Sequence, residues 1–390
     1  MFNLAEQDLE KLGAVHTATE IYQQPHVWGK MLTTLAEHKD THQNFIKKLK
    51  ETHAHVRVIF TGAGTSAFAG DTLTPELNQS TTKSTFTFES IATTDIVSNP
   101  YAYLKADVPT VLVSFARSGN SPESVAAVNL AETIIKDFYQ VVITCNSEGK
   151  LAVNTKGDDK SLLILTPPEA HDKSFAMTSS FTTMMVAAYV LFGETNTQAV
   201  IDQSINQAER LLHMVGDKVD EVLEQSYERM VFLGSGLLGQ LAHEGALKVL
   251  ELTAGKVAAT YESSLGFRHG PKSILNEQSL VVMFMSQDSY TRKYDMDLLN
   301  ELATDNSGIK IAVVDYYEDE AVSGHADFVI CLDIEKGKEV NDFSLSLPYI
   351  IFPQVLAMKN ALKLAITPDN PSPSGLVNRV VQGVTIYPIN

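Results

Sequence analysis

Eight short apolar runs of strand length alternate with helical stretches along this chain, and that alternation is what most constrains its fold. VRVIF (56–60), VPTVLVSF (108–115), QVVITC (140–145) and SLLILT (161–166) occupy the first half. RMVFLG (229–234), SLVVMFM (279–285), KIAVVD (310–315) and DFVICLD (327–333) occupy the second. Strands separated by helical segments such as SPESVAAVNLAETIIKDF predict an α/β chain of parallel sheets flanked by helices on both faces. The pattern also repeats. Gly62-Ala63-Gly64 and Gly234-Ser235-Gly236 stand 172 positions apart, and the polar loops opening at Ser114 and Ser286 keep the same offset. Two landmarks with one offset predict a tandem duplication, its halves at 46–203 and 219–366. Residues 1–45 read as an N-terminal helical arm, with Pro25 just inside a helix start. In the tail, 367–390, Pro368, Pro371 and Pro373 bar a helix; the end reads as strand-like, over the active site.

Composition narrows the class. At 390 residues and 44% hydrophobic content the chain can bury a large core. A net charge of −17 argues against nucleic-acid and anionic-membrane partners. An anionic ligand must then be held by local dipoles and hydrogen bonds. The two cysteines, Cys145 and Cys331, lie in apolar strand-like runs and read as buried reduced thiols. MFNLAEQDLEK has no apolar core of a signal peptide, and MMVAAYVLFG (184–193) is too short to span a bilayer. A soluble, cytoplasmic protein is expected.

Five motifs carry possible chemistry. TGAGTSAFAGD (61–71) follows a strand. Its glycines permit a tight turn, and the next helix offers amides to an anion, with Thr65 and Ser66 adding hydroxyls. An ordinary capped βα turn is the plainer reading. SFARSGNSPESVAA (114–127) crowds Ser114, Ser118, Asn120 and Ser121 around Gly119 before Pro122, a suitable first helical residue. One capped helix start accounts for one serine; a phosphate cradle accounts for the set. GSGLLG (234–239) matches a dinucleotide fingerprint, but TAGKVAAT stands where the ribose-binding acid belongs, so a scaffold turn is preferred. HDKSFAMTSSFTTMM (171–185) reads either as helix capping or as hydroxyls against a sugar, with Ser179 the candidate.

The fifth is a constellation. Glu244, Lys248 and Glu251 fall at i, i+4 and i+7 on one helix face, and His269 follows between Arg268 and Gly-Pro. A surface ion pair beside a lone loop histidine is the bland account. The surrounding GALKVLEL is mostly apolar, however, and charges at the edge of a buried face need a reason. Two carboxylates, an amine and an imidazole point to proton transfer on an anionic substrate. No Cys/His cluster with metal-ligand spacing occurs, and neither metal nor redox cofactor is expected.

Seven ordered segments together resemble the sugar-isomerase (SIS) domain family: EIYQQP (20–25), GTS (64–66), RSGNS (117–121), SSFTT (179–183), FLGSG…EGALKVLE (232–251), RHGP (268–271) and VNRVVQGVTIY (377–387). The resemblance covers nearly the whole chain. It implies two tandem SIS domains, each a flavodoxin-like three-layer αβα unit, the first binding phosphate and the second carrying acid–base residues. It implies that Thr65, Ser66, Ser118, Gly119 and Ser121 hold a sugar phosphate, with Arg117, Ser179 and Gln382 nearer the sugar. Glu251 then moves a proton between C1 and C2, His269 assists ring opening from a neighbouring subunit of a homodimer, and Lys248 and Glu244 complete the catalytic set. Two departures from the isomerase half of glucosamine-6-phosphate synthase matter: Ala116 replaces a phosphate-loop serine, and Gln382 replaces a Schiff-base lysine. No glutaminase domain is expected ahead of the isomerase half. The tail and the Glu251–His269 spacing look most like the galactosamine-6-phosphate deaminase group, also called tagatose-6-phosphate ketose/aldose isomerases. The resemblance therefore implies conversion of D-galactosamine 6-phosphate to D-tagatose 6-phosphate and ammonia. Alternatives are an aldose–ketose isomerase on an unaminated hexose 6-phosphate and a non-catalytic sugar-phosphate sensor.

Overall fold

The computed structural model describes residues 1–389 apart from 80–84, 194–195, 306, 336–337, 339 and 382. It contains two five-stranded sheets, every strand parallel to its neighbours. The first holds β1 (Val56–Thr61), β2 (Phe86–Ser90), β3 (Thr110–Ala116), β4 (Phe138–Thr144) and β5 (Ser161–Leu165), in the order β2-β1-β3-β4-β5. The second holds β6 (Arg229–Gly234), β7 (Ala258–Ser263), β8 (Ser279–Phe284), β9 (Lys310–Asp315) and β10 (Phe328–Cys331), in the order β10-β9-β8-β6-β7. Read from its other edge, the second sheet repeats the first. In both, the chain leaves the first strand toward one edge and then crosses back to build the other side, so a switch point lies between β1 and β3 and again between β6 and β8.

The apolar runs become strands because helices cover both faces of each sheet. Every residue of β1, β3 and β8 is buried. Ile59, Leu112 and Val142 pack with Ala127, Val128 and Ala131 of the helix Pro122–Ile134. Val231, Val281 and Val313 pack with Leu298, Leu299 and Leu302 of the helix Thr291–Thr304. At roughly 1.5–3 kcal/mol for each fully buried aliphatic side chain, such clusters outweigh any local preference of the sequence.

Two strands escape the apolar pattern, β2 (FTFES) and β7 (AATYES). Both are edge strands, both are partly exposed, and Phe86 and Ala258 stand 172 positions apart, so duplication carries the omission into both halves. The tail differs from expectation as well: 377–387 forms no strand among its described residues. Pro25 is the second residue of the helix Gln24–Glu37, as its fixed φ favours.

The chain divides into two compact units. One comprises Met1–Pro25, Lys173–Thr178 and Ala199–Pro373, and contains the second sheet. The other comprises His26–Asp172, Ser179–Gln198 and Ser374–Asn390, and contains the first sheet. No helix among the described residues is long and apolar enough to cross a membrane.

Candidate functional site

In the first-sheet unit, both hydroxyl-rich loops emerge at the β1/β3 switch point. β1 ends at Thr61, and the helix Thr65–Gln79 begins four residues later. A Cβ on Gly62 would lie 2.5 Å from the carbonyl carbon of Ser66, and Gly64 has φ +55°, so only this pattern of glycines lets strand and helix meet so closely. Thr65 and Ser66 are thereby the first two residues of that helix. Beside them β3 runs into Arg117-Ser118-Gly119-Asn120-Ser121, with Gly119 at φ +67°. Ser121 stands at the N-cap position of the helix Pro122–Ile134 without a side-chain capping bond, Pro122 takes its first position, and the Ser121 and Ser124 hydroxyls lie 2.6 Å apart. Asn146 Nδ2 donates to the Ser118 carbonyl (2.8 Å), and the Lys150 amide donates to Asn120 Oδ1 (3.0 Å), which fixes the loop's shape. Two helix N-termini and four hydroxyls at one switch point form a site suited to a phosphate group.

The second sheet lacks this chemistry at the equivalent place. Leu237 and Leu238 stand 172 positions beyond Thr65 and Ser66, and Tyr290 and Lys293 stand beyond Ser118 and Ser121. The loops there are tied down by the protein's own carboxylates. Ser235 Oγ and Ser264 Oγ donate to Asp295 Oδ1 (2.5 and 2.6 Å), and Ser286 Oγ donates to Asp342 Oδ2 (2.6 Å). Burial pushes both Asp295 and Asp342 above the usual carboxylate range. GSGLLG is a scaffold turn, its serine spent on Asp295.

The second-sheet unit instead supplies the ionisable array. The helix Leu237–Leu252 packs on β6 and β7 and carries Glu244 and Lys248 fully buried. Lys248 Nζ lies 3.2 Å from Glu244 Oε1 and 2.6 Å from Glu251 Oε2. Burial drives the Lys248 amine down; the carboxylates of Glu244 and Glu251 drive it up and prevail, so it stays an ammonium. Of the three, only Glu251 reaches solvent, with 24% of its side chain exposed. An ammonium clamped between two carboxylates holds Glu251 in one orientation at the partly exposed edge of this helix.

His269 is placed differently. Its loop is pinned by buried Phe267 and by Arg268, whose Nη2 lies 2.9 Å from Asp297 Oδ2 and whose Nε lies 2.6 Å from Glu301 Oε2. Lys272 adds pairs to Glu301 and Asp305. The His269 ring itself is exposed and has no hydrogen bond, ion pair or ring contact among the described residues. The structure thus brings three of the four residues together and presents the fourth outward. His243, next to Glu244, stacks on Tyr261 at 3.8 Å, and burial pushes its imidazole down to about 4.

Asp172 organises the remaining candidates. Its carboxylate accepts from the amides of Ser179 and Ser180 (3.0 and 2.9 Å) and from Ser180 Oγ, capping the helix Ser179–Phe192; Ser179 is wholly buried. Arg379 donates to the Asp172 carbonyl, and Arg117 Nη2 donates to the Arg379 carbonyl (3.0 Å), fastening the tail to the 117–121 loop. Gln382 lies outside the described residues. Asp172, Asp295 and Arg379 went unread in the sequence because their partners are 7 to 262 positions away. Cys145 and Cys331, expected to be buried, are half-buried free thiols, and burial pushes them up to about 12 and about 11.

Known proteins place this architecture. The sequence profile of the SIS domain matches residues 52–193 and 223–359. D-galactosamine-6-phosphate deaminase AgaS from Shewanella sp. (strain ANA-3) is 43% identical over 388 residues, covering 99% of this chain and 95% of the relative. D-galactosamine-6-phosphate deaminase AgaS from Escherichia coli is 42% identical over 374 residues, covering 95% of each. The crystal structure of tagatose-6-phosphate ketose/aldose isomerase from Escherichia coli superposes with a TM-score of 0.86 at 39% identity, covering 96% of this chain and 97% of that one. With both sheets matched by the same profile and near-complete coverage by these relatives, the chain belongs to the SIS domain family.

Proposed function

We propose that this chain is a D-galactosamine-6-phosphate deaminase of the ketose/aldose isomerase type, yielding D-tagatose 6-phosphate and ammonia. The observation that carries the reading is the Glu244–Lys248–Glu251 array, in which a buried ammonium holds one accessible carboxylate. The substrate follows from relatives of that name at 42 and 43% identity over 95 and 99% of the chain.

In this reading Thr65, Ser66, Ser118, Gly119 and Ser121 hold the phosphate, and Arg117 steadies the loop. His269 assists ring opening; its exposed ring supports delivery to a second copy in a homodimer. Glu251 removes the proton from C2 of the open-chain aldose. The electron pair moves into a C1–C2 double bond, and the aldehyde oxygen takes up a proton, giving an enolamine. Glu251 returns its proton to C1 as the nitrogen lone pair forms a C2 imine. Water adds to that carbon and ammonia leaves. Lys248 limits the cost of charge on the enolamine, and Glu244 keeps Lys248 in place. A general base so positioned contributes about 10²–10⁴-fold.

The test is ammonia release from D-galactosamine 6-phosphate by a coupled assay, with the sugar product followed separately. One ammonia per tagatose 6-phosphate is expected. Ketose–aldose interconversion of unaminated hexose 6-phosphates with no ammonia would instead establish the plain isomerase.

A further inference from the structure

Asp295 belongs to no motif, yet three loops at the carboxyl ends of the second sheet converge on it. It lies in the helix Thr291–Thr304 and is completely buried. One oxygen, Oδ1, accepts from Ser235 Oγ at 2.5 Å and from Ser264 Oγ at 2.6 Å, and the other accepts from the Ser286 amide at 3.2 Å. Ser235 stands two residues before the helix that carries Glu244, Lys248 and Glu251. Ser264 stands five residues before His269, and its amide donates to the Gly234 carbonyl (3.2 Å). The same Thr291–Thr304 helix takes hold of this loop again on its far side, where Asp297 and Glu301 pair with Arg268. The His269 loop is therefore gripped at both ends by one helix. The near grip also fixes the start of the acid–base helix.

We propose that Asp295 is a positioning residue, whose single oxygen Oδ1 registers the loop presenting His269 against the helix presenting Glu251. The role requires a carboxylate. Two hydroxyls and an amide all donate to it, and an acceptor-only group satisfies all three, whereas an amide side chain would set its own N–H groups against a donor. The inference rests on the reading of Glu251 and His269 as the acid–base groups.

Ser264→Ala removes one hydroxyl from a buried site and tests the register with little risk to folding; Asp295→Asn is the companion variant. Ser264→Ala should lower kcat for ammonia release ten- to a hundredfold while KM stays within twofold, a split that a purely structural bond would not produce. In a His269→Asn background the same substitution should cost less than threefold, because the residue it positions is already gone. A kcat within twofold of wild type, or an equal loss in both backgrounds, overturns the proposal. Hydrogen exchange of residues 264–270 reads the placement without substrate. A tenfold or greater rise in Ser264→Ala or Asp295→Asn supports it, and unchanged exchange in both overturns it. Should wild type release no ammonia, the deaminase reading fails and exchange alone judges Asp295.

Discussion

A lysine buried to zero exposure survives only because two carboxylates lie within 3.2 Å of it, and that arrangement determines what Glu251 can do. Removing one partner of such a buried pair is more damaging than never having built it. Glu251→Gln keeps size and hydrogen bonding but cannot take a proton, so kcat should fall about 10²–10⁴-fold while KM holds. Steady-state ammonia release checks this, and near-normal turnover would remove Glu251 as the base. His243 sets a different signal. Its imidazole, pushed down to about 4 by burial, stays neutral in the folded chain while the unfolded chain protonates near 6.5. The stability this neutrality provides is present above pH 6.5 and is lost as pH falls toward 4. His243→Phe retains a ring against Tyr261 and does not titrate. Its urea midpoint should drop less than that of wild type between pH 7 and 4.5, with His42 and His171, also lowered by burial, adding slope of the same sign. An identical drop would show that His243 contributes nothing to the acid limb.

At the level of elements, the strand-to-helix turns divide the labour. The same glycine scaffold opens Thr65–Gln79 with two hydroxyls and Leu237–Leu252 with two leucines. If these hydroxyls hold the phosphate as proposed, Ser118→Ala combined with Ser121→Ala should raise KM at least tenfold with a smaller change in kcat, since binding and not proton transfer would be lost. An unchanged KM would move the phosphate elsewhere. Of the eight short apolar runs, the six in interior strands were legible because two-sided burial demands unbroken hydrophobicity, and the edge strands β5 and β10 were legible because they also kept apolar runs. β2 and β7, at the opposite edges, were not legible, because a partly exposed edge strand does not need an apolar run and here reads FTFES or AATYES. The capping of Ser179–Phe192 by Asp172 could be read only as an open choice between cap and sugar contact, since a carboxylate seven residues upstream leaves no periodic trace.

Over the whole molecule, a charge of −17 opposes, at long range, a substrate that stays net anionic because its phosphate outweighs its C2 ammonium. Raising ionic strength from 0.01 to 0.3 M shortens the Debye length from about 30 Å to less than 10 Å, so kcat/KM should rise, by less than tenfold. A fall with salt would mean that a local cationic field around the site dominates the encounter. The duplication, its 172-residue offset and the hydroxyl-rich composition of the 64–66 and 117–121 loops follow from the sequence alone, because they depend on residue types at short spacing. So does the amphipathic stacking of Glu244, Lys248 and Glu251, which a helix enforces at i, i+4 and i+7. Tertiary structure decided the rest: which carboxylate of that face stays open to solvent, that the loops of the second switch point are bonded to Asp295 and Asp342, and that the His269 ring is exposed. Each depends on groups far apart in the chain meeting in a low-dielectric interior, where an unpaired charge or hydroxyl costs more than any local preference can offset.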